Sequence, residues 1–121
     1  MRTIKFRIFN KKIKSYIGIH SSAIMIDELN DLNDNLIVEQ FTGLHDKNGK
    51  EIYEGDIVSY KRNVGNWTGK SLTTIHKIIF TEEINAFVMK DNSGYIKLRK
   101  HWGYEYEVIG NIYENQELLN N

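Results

Sequence analysis

The chain has 121 residues, 16 Lys and Arg against 16 Asp and Glu, 40% hydrophobic residues, and neither Cys nor Pro. That length fits one compact domain with a sizeable core, and the missing Cys excludes disulfides, thiol nucleophiles, iron–sulfur ligation and Cys-based zinc sites. No stretch approaches the roughly 20 apolar residues of a membrane span, and Met1 to Phe9 alternates charged with apolar residues, unlike a signal peptide, so a cytoplasmic location is expected.

Ile4, Phe6 and Ile8 alternate with Lys5 and Arg7, which predicts a half-buried strand with a basic outer face. Asn10-Lys11-Lys12 reads as a turn, and Tyr16 to Ile19 as the returning strand of a hairpin. Leu29, Leu32 and Leu36 stand three and four apart among Asp and Asn, the spacing of one or two helical turns or an acidic loop. Strand character resumes from Leu36 to Phe41, and Thr42-Gly43 is expected to end it.

Asp46-Lys47-Asn48-Gly49 places Asn-Gly where a tight turn needs residues tolerant of positive φ. Glu54-Gly55-Asp56 forms a second turn, after which Ile57 to Tyr60 enters a strand. Gly65, Asn66 and Gly69 make a loop around Trp67. Residues 75–80 and 86–89 then read as two strands, Asp91-Asn92-Ser93-Gly94 as a hairpin turn, 95–98 as a strand, and 105–113 as the last strand. Turns at this spacing predict an all-β chain with minor helix: a small, strongly twisted antiparallel sheet or partly closed SH3-like barrel with extra N-terminal strands. We expect one domain over 1–121, with residues 1–50 as N-terminal strands or an arm, 52–113 as the barrel-like core and 114–121 as a tail.

Charge is zero overall but blocked along the chain. Residues 1–20 hold six cations and no acid, whereas 27–56 hold nine acids against Lys47 and Lys50. The blocks either meet each other on folding, as cross-strand partners, or leave a basic face for nucleic acid.

The string from Gln40 to Val58, QFTGLHDKNGKEIYEGDIV, resembles the signature of the YopX family, small proteins of phages and prophages in Gram-positive bacteria. Ile4-Lys5-Phe6-Arg7 is similar to that family's opening, and Glu107 to Asn115 to its end. The departures are Asn10, where the family commonly has Asp, and Gln116, where it commonly has Pro. The resemblance implies a β-rich fold, a phage or prophage origin and self-association. It implies no biochemical activity.

No catalytic constellation stands out. Asp46, Asn48 and Glu51 around Gly49 resemble a calcium loop, but Gly falls at the fourth position rather than the sixth. His20, His45, His76 and His101 lack the i, i+4 spacing of a helical zinc site. Ser59 and Ser71 lack activating neighbours, and Glu82-Glu83 and Glu105/Glu107 fit strand alternation better than an acid/base pair. The expectation is therefore no catalytic residue, no metal and no cofactor. Gly43, Gly49 and Gly55, spaced by six, together with Asp46, Asn48 and Asp56, form a structural turn motif. Trp67, Tyr95, Trp102, Tyr104 and Tyr106 are interspersed with Arg62, Lys70, Lys97, Arg99 and Lys100. That mixture suits a subunit or partner interface, ordinary core, or stacking on single-stranded nucleic acid. The uncharged run Val108 to Tyr113 reads as a strand edge open to another copy. A non-enzymatic, self-associating module is expected, with a host or phage protein as further partner and a nucleic-acid-binding β module as the alternative.

Overall fold

The computed structural model describes residues 4–20, 35–63, 69–98 and 105–119. Nine strands and a short 3-10 helix account for most of them. In chain order they are β1 (Phe6–Asn10), β2 (Ser15–His20), β3 (Leu36–His45), β4 (Glu51–Tyr53), β5 (Asp56–Asn63), β6 (Ser71–Thr81), β7 (Ala86–Asp91), β8 (Gly94–Lys97) and β9 (Glu105–Asn111), followed by the helix Gln116–Leu119. The chain is nearly all β, as expected, in two antiparallel sheets, one of them a curled half-barrel. The first sheet runs β2-β1-β3-β4 and the second β8-β7-β6-β5-β9. Among the described residues no helix is long and apolar enough to cross a membrane.

Turn chemistry explains most connections. Asn10 Oδ1 accepts the N–H groups of Lys12 and Ile13, and Lys14 takes φ +56° to reverse β1 into β2. Asp91 Oδ1 accepts both the N–H and the hydroxyl of Ser93 in the β7–β8 hairpin. Asn85, at φ +52°, closes the β6–β7 turn, a conformation Asn tolerates better than most residues.

Three boundaries differ from the sequence expectation. Thr42-Gly43 does not end β3, which continues to His45; Gly43 instead sits at φ +88° inside a register shift between β3 and β4, the place of Gly in a bulge. The division between sheets falls after Tyr53, so Glu51–Tyr53 pairs with β3 although Ile52 packs in the main core. The last strand stops at Asn111, whose side-chain oxygen accepts the N–H groups of Tyr113 and Glu114 and turns the chain. The helical spacing around Leu29 and Leu32 and the loop at Trp67 lie outside the described residues.

The main core lies on one face of the second sheet. Ile52, Val58, Tyr60, Ile78, Phe87, Met89, Leu98 and Tyr106 are all buried there. Ile57 and Val88, fully buried, belong to the opposite face of the same strands. Two buried faces explain why Ile57-Val58 and Phe87-Val88-Met89 read as continuous apolar runs rather than alternating ones.

Candidate functional site

The residues of the Gln40–Val58 signature meet the N-terminal strands at a buried ionic joint. Arg7 on β1 lies directly opposite Glu39 on β3. Its Nε donates to Glu39 Oε1 at 2.9 Å, and its Nη2 lies 2.7 Å from Asp56 Oδ1 at the start of β5. The guanidinium sits between two phenol rings, 4.4 Å from the Tyr16 centroid and 4.8 Å from that of Tyr53. Cation–π contacts of this kind gain strength where water is excluded. Glu39 is 3% exposed and Asp56 1%, so two carboxylates share one guanidinium away from solvent.

Both carboxylates also accept a hydrogen bond from a local donor. Tyr16 Oη donates to Glu39 Oε1 at 2.9 Å, and the Tyr53 N–H donates to Asp56 Oδ2 at 2.8 Å. Asp56 Oδ1 takes the Arg7 charge at 2.7 Å without a well-aligned hydrogen bond. Glu54 Oε1 accepts the Gln40 N–H at 2.8 Å, which ties the turn to β3. Gly55 is required twice over. It has φ +87°, and a Cβ at this position would overlap the Glu39 carboxylate.

Burial raises the proton affinity of Glu39 and Asp56, with Arg7 opposing the shift in both. Burial works to lower that of Arg7, but the charges of Asp56 and Glu39 overcome it and hold the guanidinium more firmly protonated. Burial pushes the Tyr53 phenol up to about 12 and Tyr16 higher still. Perturbed carboxylates are one mark of an active site. Here every charged group is committed to a partner within the chain, so the geometry fits a joint between two sheets rather than a place for substrate.

A second device joins the signature to the far edge of the second sheet. Asp46 Oδ1 accepts the N–H groups of Asn48 and Lys50, while Oδ2 accepts the Val108 N–H of β9 at 3.0 Å. The Lys47 N–H donates to the Tyr106 carbonyl at 2.8 Å. Burial alone works to raise the Asp46 carboxyl, but the N–H groups of Val108, Lys50 and Asn48 outweigh it and hold the group below its ordinary range. Gly49, at φ +83°, lets the turn close with Gly49 N–H on the Asp46 carbonyl. The Asp46–Gly49 turn is thus a clamp on β9. Farther along, Asn115 Oδ1 accepts the Asn111 N–H. The uncharged Val108–Tyr113 segment is therefore not the open edge expected from its composition, because the chain covers it with its own turn and tail.

The charge blocks also meet within the chain. Lys5 pairs with Glu51 at 2.6 Å, Arg7 with Glu39 and Asp56, and Lys47 with Glu107 at 3.3 Å. Arg7, counted toward a basic face for nucleic acid, is half-buried and paired instead, its side chain only 13% exposed.

Among the described members of the aromatic and basic set, Tyr106 and Arg62 stand apart from Tyr95 and Lys97. Tyr106 is 7% exposed and stacks on Tyr60 at 5.3 Å in the core, so it is not a surface contact. Arg62 lies on β5, three strands from Tyr95 and Lys97 on β8. Trp67, Arg99, Lys100, Trp102 and Tyr104 lie outside the described residues. His76, read only for its lack of metal-ligand spacing, is buried, with Nε2 2.6 Å from Thr74 Oγ1 and Nδ1 3.4 Å from Asp91 Oδ2. Among the described residues no cluster of three His, Asp or Glu is placed to hold a metal.

A family model described as YopX protein matches residues 24–120. The chain belongs to the YopX family. The matched span includes the whole signature and the terminal motif, but it begins after β1 and β2, so Arg7 and Tyr16 stand outside it. The crystal structure of protein EF1440 from Enterococcus faecalis is similar at a TM-score of 0.58 and 22% identity, covering 98% of this chain and 99% of that one. At that identity the likeness shows a shared fold, including the N-terminal strands. A search of curated proteins finds no match.

The YopX signature thus spells two structural devices, the Glu54-Gly55-Asp56 joint and the Asp46–Gly49 clamp. Reasoning from sequence missed Glu39, Tyr16 and Tyr53. The one local trace of them was a glutamate at an otherwise apolar strand position, Val38-Glu39-Gln40-Phe41.

Proposed function

We propose that this YopX protein is a phage- or prophage-encoded accessory protein that acts in the host cytoplasm as a non-enzymatic, self-associating assembly module. Strand β8 carries the reading. It is the outer strand of the second sheet, and all four of its residues, Gly94–Lys97, are exposed. Backbone direction alternates along a strand. Since the Leu98 N–H donates inward to the Phe87 carbonyl, the N–H and C=O groups of Tyr95 and Lys97 face outward from the sheet.

Apolar area lies beside that edge. Phe80, Ile84, Tyr95 and Ile96 are each more than a third exposed. Tyr95 Oη donates to Glu83 of the β6–β7 turn, which also presents Ile84. A second copy pairing its own β8 antiparallel to this one satisfies the same groups on both chains and shields the same apolar side chains. The opposite edge, β9, is already clamped, which favours a closed pair over an open fibre. A host or phage protein with an extended segment is a further partner of the same chemistry.

Sedimentation over a wide concentration range tests the reading. The expected result is a mass above 14.2 kDa for the wild type, reduced to that of one chain by I96K. A single-chain mass at every concentration overturns it, and tight, salt-sensitive binding to oligonucleotides would favour a nucleic-acid module instead.

A further inference from the structure

We infer that the cleft between strands β6 and β7 and the C-terminal 3-10 helix binds a small phosphate monoester of nucleotide size. The cleft, open to solvent on one side, has a volume of about 840 Å³, a size that small-molecule sites also have. Its floor carries an unusual pair. Lys77 on β6 and Lys90 on β7 are direct cross-strand partners, both half-buried. Opposed residues on neighbouring strands have Cβ atoms only about 5 Å apart, and like charges there are destabilising.

Neither lysine has an ion pair or hydrogen bond to a described residue that offsets this. Asp91, the one carboxylate lining the cleft among the described residues, turns Oδ1 to the N–H and hydroxyl of Ser93, while Oδ2 lies 3.4 Å from the His76 ring without a hydrogen bond; it makes no ion pair with either lysine. Both lysines line one cleft from adjacent strands, where a single dianionic phosphate would answer both charges, and lysine binds phosphate as a point charge. Thr73 and Asn92 add polar groups to the same cleft, while Ile75 and Leu118 line it with apolar surface. A ligand with a doubly charged head and a flat organic body matches both halves. The site adjoins β8, since Lys90 pairs with Tyr95, but no β8 residue lines it and the inference does not rest on self-association.

The test is NMR titration and thermal melting of the full chain with inorganic phosphate, adenosine monophosphate and adenosine, repeated on K77Q/K90Q. The monophosphate should give saturable shifts confined to residues 73–77, 90–93 and 116–119. It should also raise the melting temperature, because a ligand that binds only the folded chain stabilises it. Adenosine should bind at least about tenfold more weakly, and K77Q/K90Q should lose about tenfold or more in affinity for the monophosphate, the scale expected for removing charge-assisted contacts. Without ligand, K77Q/K90Q should melt no lower than the wild type, since it removes a repulsion, which separates loss of binding from loss of fold. No saturable shift at millimolar monophosphate overturns the inference, as does equal binding by K77Q/K90Q or by adenosine. Binding of single-stranded oligonucleotide without the monophosphate overturns it too, in favour of a polyanion groove.

Discussion

Arg7 and Glu39 face each other across neighbouring strands of the first sheet, and the same guanidinium reaches Asp56 at the first residue of the second. One side chain therefore ties the two sheets together. Removing it leaves two buried carboxylates without a counter-charge, a situation that typically costs about 3–5 kcal/mol. R7A should lose stability on that scale in urea unfolding. R7K should recover only part of it, since an ammonium neither stacks as a plane between Tyr16 and Tyr53 nor reaches both acids as a fork.

Gly55 and Gly49 have nearly the same φ, +87° and +83°, but different surroundings. Nothing lies within 4 Å of a Cβ at Gly49, whereas at Gly55 it meets the Glu39 carboxylate. G49A should cost about 1–2 kcal/mol, the backbone strain of the left-handed region alone. G55A should cost clearly more, because it also displaces a buried charge from its partner. Equal losses in paired denaturation curves would reject the steric role of Gly55.

The hairpins were legible because their chemistry is local: Asp46-Lys47-Asn48-Gly49 and Asp91-Asn92-Ser93-Gly94 each supply the acceptor and the permissive residue within four positions. The Arg7 joint was not, since its partners are 32 and 49 positions away and alternation alone made Arg7 look like a surface cation. Gly43 misled in another way, because a glycine that ends a strand and one that bulges it look alike in sequence. Tyr106 alternates with Glu105 and Glu107, which fixes that they face opposite ways but not which face is buried.

Asp46 gives a signed acid dependence. Its proton affinity is lowered from the ordinary value of 3.8, so the unfolded chain binds the proton more readily. Its contribution is complete above pH 3.8 and is lost as pH falls through the lower folded value. D46N should destabilise by about 1–3 kcal/mol at neutral pH, the cost of leaving a partly buried donor such as the Val108 N–H unpaired. The gap between D46N and wild type should narrow in acid, read from denaturation midpoints at pH 7 and pH 3.

His76 acts in the neutral range. Burial lowers its proton affinity from the ordinary 6.5, with Asp91 opposing the shift and Arg62 adding to it. The contribution is present above pH 6.5 and disappears as pH falls through the depressed folded value. Melting temperature should therefore drop between about pH 7 and pH 5, with a shallower slope in H76Q. Identical slopes would show that the loss arises at other groups.

Self-association through β8 is tested most directly by amide hydrogen exchange of Tyr95 and Lys97, compared with Val108, at low and high protein concentration. Val108 donates to Asp46 within the chain, so it should be protected at both. Tyr95 and Lys97 should exchange fast when dilute and become protected as the second copy pairs with them. Fast exchange at Tyr95 and Lys97 at every concentration would contradict the account.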